Sequence, residues 1–114
     1  MPYFDVKTNV KMNAEQKDTV MHALGKIIEL VPGKSESWVM VNIEDDIYTS
    51  FAGESAGNAA MITVKTFGQP TDSQYGELTD AICKKVNELL DIDPKRIYIV
   101  YEPIKHWGWN HANF

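Results

Sequence analysis

An internal repeat constrains the fold of this 114-residue chain more than any other feature of its sequence. When the sequence is aligned with itself at an offset of 58 residues, the Val-Lys-Thr of residues 6–8 falls on the same three letters at residues 64–66. Repetition at a fixed offset indicates one supersecondary unit that is used twice. Each half of the chain shows a strand pattern, a helix pattern and a second strand pattern, so the repeat predicts two β-α-β units.

Each repeat contains one predicted amphipathic helix that begins at a capping box. Asn13 with Gln16, and Thr71 with Gln74, have the spacing at which the N-cap and N3 side chains bond each other's backbone N–H groups. Apolar residues then follow on one face of each helix: Val20, Leu24, Ile27, Ile28 and Val31 in the first, and Leu78, Ile82, Val86 and Leu89 in the second. Pro32-Gly33 ends the first helix.

Alternating and apolar runs predict four strands, at residues 4–9, 37–43, 59–67 and 96–101. The second run is apolar on both sides, which is typical of a covered central strand. Four strands and two one-sided helices predict an α/β fold of the α+β type, in which a single four-stranded sheet carries both helices on one face. The uncovered face, with Met40 and Tyr98, predicts contact with another subunit.

Length, charge and cysteine content limit the classes of protein. A chain of this size predicts one domain over residues 1–114. A net charge of −5 argues against nucleic acid or an anionic membrane as a partner, and no apolar run approaches the ~20 residues of a membrane span. No signal-peptide pattern is present. Cys83 is the only cysteine, which favours a reducing, cytoplasmic location; export without a signal peptide stays open.

Pro2 is the candidate catalytic residue. A proline directly after Met1 is a small penultimate residue, and the methionine before such a residue is usually removed, which leaves a free secondary amine. An α-amine titrates near pH ~8, and burial or a nearby cation lowers its pKa towards the range where a general base works. Taken alone, the Met-Pro dipeptide more often starts an edge strand, where the missing N–H has no consequence.

The repeat and the Met-Pro start resemble the tautomerase superfamily, in particular the macrophage migration inhibitory factor and phenylpyruvate tautomerase family. The motifs that carry the resemblance run along the whole chain: Pro2-x-Phe4, Thr8-Asn9-Val10, Gly33-Lys34, Phe51-x-Gly53, Arg96-Ile97-Tyr98-Ile99, and Gly108-Trp109-Asn110 with the terminal Phe114. The resemblance implies a homotrimer whose three sheets enclose a central channel, with active sites between the subunits.

The resemblance also implies roles for single residues. Pro2 would be the catalytic base, Lys34 would hold the substrate carboxylate, and Tyr98 of a neighbouring subunit would form the aromatic end of the pocket. The other implied substrate-binding residues are Thr66, Phe67, Trp107, Trp109 and Phe114, with Trp38 as a further candidate. The implied reaction is keto–enol exchange of a small arylpyruvate-like molecule, without a metal ion or a cofactor.

The sequence departs from the vertebrate members of that family at three places. Val100 stands where they have an asparagine, and Trp107 replaces a smaller apolar residue. Residues 58–61 replace their Cys-x-x-Cys, so thiol–disulfide activity is not expected. These changes affect the expected substrate preference rather than proton transfer at Pro2.

Two other functions stay open beside the tautomerase. One is a secreted, cytokine-like signalling protein that binds a receptor and retains only a vestigial tautomerase site. The other is a different reaction of the superfamily that pairs the proline with arginines, which is disfavoured because Arg96 is the only arginine. The three histidines lack the spacing of a metal site and are expected to be structural or exposed: His22, His106 and His111.

Overall fold

The computed structural model describes all residues from 1 to 114. Its regular elements are, in chain order, β1 (Pro2–Thr8), α1 (Ala14–Ile27), β2 (Met40–Glu44), β3 (Ala60–Phe67), α2 (Asp72–Leu90), β4 (Ile97–Ile104), β5 (Gly108–Trp109) and β6 (Ala112–Asn113). Short 3₁₀ turns lie at Ile28–Leu30, Glu36–Trp38 and Pro94–Arg96. Neither long helix combines the length and the apolar character that a bilayer crossing requires.

The sheet reproduces the sequence repeat in its pairing register. Its strand order is β2-β1-β3-β4, with β1 antiparallel to β3 in the centre and a parallel partner on either side. Tyr3 faces Met40 in the first parallel pair, and Met61 faces Tyr98 in the second. Tyr3 and Met61 are 58 residues apart, and so are Met40 and Tyr98, which is the offset of the sequence repeat. Two β-α-β units in one four-stranded sheet are confirmed.

Both predicted capping boxes form, and they fix the first turns of α1 and α2. The Asn13 side chain accepts a hydrogen bond from the Gln16 backbone at 2.8 Å, and the Gln16 side chain accepts one from the Asn13 backbone at 2.9 Å. Thr71 and Gln74 make the equivalent bonds at 3.2 and 2.8 Å. Each box satisfies two N–H groups that would otherwise lack a partner at the start of its helix.

The core lies between the helices and one face of the sheet. Alternate residues of the two central strands point into it and are at most 1% exposed: Phe4, Val6, Ile62 and Val64. They form one cluster with the helix residues Val20, Leu24, Leu78, Ile82 and Val86. On the opposite face Met40 is 64% and Tyr98 62% exposed, so one side of the sheet is uncovered within a single chain.

The second predicted strand is wrong at its start and in its place in the sheet. Residues 36–38 form a 3₁₀ turn because the Ser35 hydroxyl accepts a hydrogen bond from the Ser37 backbone at 3.2 Å. A side chain that bonds its own backbone in this way competes with strand pairing. The strand that follows, Met40–Glu44, is an edge strand of the sheet rather than a covered central one.

The apolar stripe of α2 extends to Leu90, one residue beyond the predicted Leu89, which also packs against the core. Leu90 is buried and Leu89 only partly so. Asp91 ends the helix in the left-handed conformation with φ of 54°, and the chain turns there so that Leu90 and Ile92 both enter the core. The fourth strand starts one residue later than expected, at Ile97, because Asp93 caps the 3₁₀ turn before it.

Thr8 supports a stability prediction because the repeat supplies its own control. Its buried hydroxyl donates to the Ala59 oxygen at 2.7 Å and accepts from the Val10 N–H at 3.1 Å, whereas the equivalent Thr66 hydroxyl has one bond at 3.4 Å. We expect Thr8→Val to lower the free energy of unfolding by ~1–3 kcal/mol, because the buried Ala59 oxygen and the partly buried Val10 N–H lose their partner. Thr66→Val should lower it by clearly less. Urea unfolding measures both, and equal losses would contradict this account.

Candidate active site

Pro2 lies at the end of the sheet, where core packing fixes its position. It is fully buried, and it faces Thr66 in the antiparallel pairing of β1 with β3. The residue before it is held as well, because the oxygen of Met1 accepts a hydrogen bond from the Phe67 N–H at 3.0 Å. The amino-terminal end of the chain is therefore attached to the last residues of β3.

Lys34 reaches the same place from the loop after α1. Its Nζ donates to the Phe67 oxygen at 2.7 Å, and its backbone N–H bonds the Val31 oxygen at 3.1 Å. Partial burial lowers the pKa of the Lys34 ammonium, because desolvation disfavours the charged form. The backbone of Phe67 thus bonds to both residues: its N–H donates to the Met1 oxygen, and its oxygen accepts from Lys34 Nζ.

The electrostatic surroundings of this corner favour a neutral amine. Burial, and then the positive charge of Lys34, lower the pKa of the α-amine of Met1 from its ordinary value of 8.0. While Met1 is attached, the nitrogen of Pro2 is an amide and is not basic. The same two causes would act on the amine of Pro2, which occupies the neighbouring position in the chain.

Four aromatic rings, here called the aromatic cluster, line the solvent side of this corner: Trp38, Phe67, Trp109 and Phe114. Trp38 meets Trp109 edge-on with 5.0 Å between ring centroids, and Phe114 lies 5.6 Å from Phe67 and 6.2 Å from Trp109. The β5–β6 hairpin carries the last two rings. Its end is held by the Phe114 N–H, which donates to the Trp107 oxygen at 3.0 Å.

The structure brings most of the predicted site residues together. Pro2, Lys34, Thr66 and Phe67 meet at the end of β3, and Trp109 and Phe114 join them through the aromatic cluster. Trp107 is half-buried and holds the cluster through its backbone oxygen rather than through a ring contact among the four.

Tyr98 lies at the opposite end of the sheet. It pairs with Met61, and Met61 in turn pairs with Lys7, whereas Pro2 pairs with Thr66, five residues further along β3. At 3.4 Å per residue this separation is about 17 Å. The Tyr98 ring instead contacts Phe51, with 5.0 Å between centroids. Tyr98 of this chain therefore does not reach Pro2 of the same chain.

The single chain leaves the Pro2 corner open. Trp109 is 51% and Phe114 53% exposed. Two concave regions of the chain lie elsewhere, one between the start of α1 and the end of α2, and the other between α1 and β2. The Pro2 corner therefore has the buried proline, the Lys34 ammonium and one aromatic wall, but no second wall from its own chain.

Arg96 does not contribute to this corner. Its guanidinium donates to the backbone oxygens of Asn58, at 2.9 Å, and of Glu54 and Gly57, both at 3.4 Å. It also lies over the Phe51 ring at 5.5 Å. The only arginine is thus used to order the loop before β3, and Lys34 is the cation beside Pro2. No group of three or more His, Cys, Asp or Glu side chains is placed to hold a metal ion.

Sequence reasoning missed one residue near the site, Glu36. Its carboxylate lies 3.4 Å from His22 and 3.0 Å from Lys26, both on α1. The available signals were the i, i+4 spacing of His22 and Lys26 and the glycine at position 25 inside a helix. Neither signal identifies Glu36 as the residue that contacts the helix, because the path of the loop before Glu36 cannot be predicted from the sequence.

Similarity to known proteins extends over the whole chain. The family model described as "Macrophage migration inhibitory factor (MIF)" matches residues 1–114, the whole chain. This chain belongs to the macrophage migration inhibitory factor family. It is similar to the macrophage migration inhibitory factor of Rattus norvegicus, with 27% identity over 116 residues that cover 100% of this chain and 99% of the rat protein.

Solved structures of macrophage migration inhibitory factors share the fold. MIF2 of Leishmania major is 31% identical, with a TM-score of 0.92 and coverage of 100% of this chain and 97% of its own. The macrophage migration inhibitory factor homologue of Prochlorococcus marinus is 26% identical, with a TM-score of 0.87 and coverage of 98% of both chains. The recognised family and the predicted fold class are therefore confirmed. Family membership places the protein in the tautomerase superfamily.

The aromatic cluster gives a prediction that does not depend on catalysis. We expect Phe114→Ala to shift the tryptophan emission to longer wavelength, because Trp109 loses its stacked neighbour and gains water contact. The accompanying loss of stability should be ~0.5–1.5 kcal/mol for each lost aromatic pair. Tyr48→Ala is the control, since Tyr48 is 89% exposed and should change neither property. Unchanged emission in Phe114→Ala would contradict the observed packing.

Proposed function

We propose that this protein is a keto–enol tautomerase that acts on an arylpyruvate such as phenylpyruvate. Pro2, with Met1 removed, is its general base. Family membership supports the class of activity, and one observation carries the assignment. The ammonium of Lys34 lies beside the amino-terminal end of β1, where burial and that charge lower the pKa of an α-amine. An anion anchor and a neutral amine at one corner are what this reaction requires.

The reaction moves one proton within the substrate. The Pro2 nitrogen takes a proton from the carbon next to the keto group, and the electron pair moves to the carbonyl oxygen. The protonated amine then returns the proton to that oxygen, which gives the enol. The reverse sequence restores the ketone. A base of this kind works when its pKa lies near the operating pH, so lowering the pKa of the amine is part of the mechanism.

Substrate binding follows from the contacts of Lys34 and Phe67. The Lys34 ammonium now donates to the Phe67 oxygen at 2.7 Å, and a substrate carboxylate would be a stronger acceptor because it is charged. The aryl group would lie against the aromatic cluster, where flat rings pack favourably. Thr66, beside Pro2, and Phe67 would bound the reacting end of the molecule.

A homotrimer would supply the missing wall. Tyr98 lies about 17 Å from the Pro2 end of its own sheet, at five residues of 3.4 Å each, and it is 62% exposed. On the uncovered face, Tyr98 is available to a second copy. Three single-domain chains of residues 1–114, with their sheets around a central channel, would place each Tyr98 at a neighbour's Pro2. This arrangement also covers Met40.

The test combines intact mass with an enol–keto absorbance assay of phenylpyruvate. Wild-type protein should lack Met1 and be active. Pro2→Gly should lower kcat/KM by ~10²-fold or more, since a positioned general base contributes ~10²–10⁴-fold. A matched control inserts one alanine between Met1 and Pro2, which keeps the proline ring but makes its nitrogen an amide.

The inserted variant should be as slow as Pro2→Gly although its Pro2 side chain is unchanged. If Met1-free wild-type protein is no faster than either variant, Pro2 is not the base for this class of substrate. Activity that survives in the inserted variant alone would show that catalysis needs the ring but not its amine.

A further inference from the structure

Two of the site's side chains sit on one short segment, the 34–38 loop. Lys34 contacts Phe67 at one end of this loop, and Trp38 contacts Trp109 at the other end. The backbone hydrogen bonds of the turn are local, such as the Trp38 N–H to the Ser35 oxygen at 3.1 Å. Local bonds shape the turn but do not attach it to the rest of the protein, so the attachment depends on side chains.

Glu36, at the middle of the loop, makes that attachment. Its carboxylate oxygens lie 3.0 Å from Lys26 Nζ and 3.4 Å from His22 Nδ1, and its own N–H donates to a Glu29 carboxylate oxygen at 3.4 Å. The hydrogen bond from Lys26, followed by that from His22, holds the pKa of the Glu36 carboxyl below its ordinary value. His22 and Lys26 on α1, together with Glu29 in the turn that follows it, therefore hold Glu36 in place.

Gly25 shows that this contact is built into the helix. Gly25 is buried inside α1, where glycine is less stable than alanine. A Cβ atom at position 25 would lie 2.7 Å from Glu36 Cγ and 3.2 Å from Glu36 Cδ, so the Glu36 side chain would have to move away from the helix if position 25 were alanine. Gly76 inside α2 provides the contrast, because a Cβ atom there would meet nothing within 4 Å.

We propose that Glu36 is a positioning residue, which clamps the 34–38 loop on α1 through Lys26, His22 and the gap at Gly25. The clamp sets where Lys34 and Trp38 stand relative to Phe67 and Trp109. The role of these positioned groups in catalysis rests on the proposed function. The clamp itself does not, because it fixes an aromatic contact that can be measured without substrate.

A positioning role and a purely electrostatic role predict opposite changes in KM. Glu36 is a negative charge two residues from the anion anchor, so removing the charge alone would strengthen binding of an anionic substrate. If Glu36 instead holds the loop, its removal releases Lys34 and weakens binding. The direction of the change in KM for phenylpyruvate therefore separates the two roles.

The experiment compares four variants with wild type: Glu36→Ala, Gly25→Ala, the double variant and Gly76→Ala as the control. The first readout is the near-ultraviolet circular dichroism that arises from the Trp38–Trp109 contact, with Trp38→Phe defining that part of the signal. The second is kcat and KM for phenylpyruvate, measured on the same samples.

We expect Glu36→Ala and Gly25→Ala each to lose most of the Trp38-dependent signal. KM should rise by roughly two- to fivefold, the range that the loss of a solvent-accessible ion pair allows, and kcat should change little. The double variant should match Glu36→Ala, because truncation of Glu36 removes the clash at position 25 and the effects are then not additive. Gly76→Ala should retain both properties.

An unchanged Trp38-dependent signal in Glu36→Ala would overturn the clamp, and so would an unchanged or lower KM in an active protein. If wild-type protein shows no tautomerase activity, the proposed function fails, and the circular dichroism of the same variants still decides whether Glu36 positions the loop.

Discussion

The antiparallel pairing of β1 with β3 is the constraint on which the rest of the structure depends. It forms the centre of the sheet, and its register puts Phe4 and Val64 opposite each other in the core and Pro2 opposite Thr66 at the strand end. A slip of one residue would turn the core residues of β1 to the uncovered face. The position of the candidate base is therefore fixed by the strand register that the hydrophobic core selects.

The corner around Pro2 contains few charged side chains. The protein has a net charge of −5, yet the corner that would receive an anion contains Lys34 and no arginine. Arg96 is committed to the backbone oxygens of the loop before β3. Under the proposed function Lys34 would bind the substrate carboxylate, and its charge adds to burial in lowering the pKa of the Met1 α-amine. Both effects depend on how well the 34–38 loop is held.

Much of the fold could be predicted from the sequence because its determinants are local and occur twice. The offset of 58 residues predicted the two β-α-β units, and the capping boxes at Asn13 and Thr71 predicted the helix starts. The 34–38 loop was predicted wrongly in part, because strand-forming residues such as Trp38 and Val39 compete with the local hydrogen bond of Ser35, and composition does not decide between them.

Apart from Pro2, which the Met-Pro start indicated by itself, the candidate site was predictable only through the family resemblance. Strand alternation does not decide which residue Pro2 faces, and the contact of Lys34 with Phe67 joins a loop to a strand 33 residues away, which no periodicity encodes. The position of Tyr98 at the far end of the sheet likewise follows from the parallel pairing of β3 with β4. Sequence spacing alone could not show that Tyr98 lies away from Pro2 of its own chain.

The most direct test of the Pro2 mechanism is a titration of the Pro2 nitrogen by ¹⁵N NMR in Met1-free protein, with Lys34→Ala as the comparison. Burial and Lys34 both lower the pKa of the Met1 α-amine, at the neighbouring position in the chain, so we expect the Pro2 midpoint in wild-type protein to lie below the ~8 of an ordinary α-amine. Removal of the like charge should move the midpoint to higher pH. A wild-type midpoint at or above the ordinary value, unchanged in Lys34→Ala, would contradict the assignment of Pro2 as an activated base.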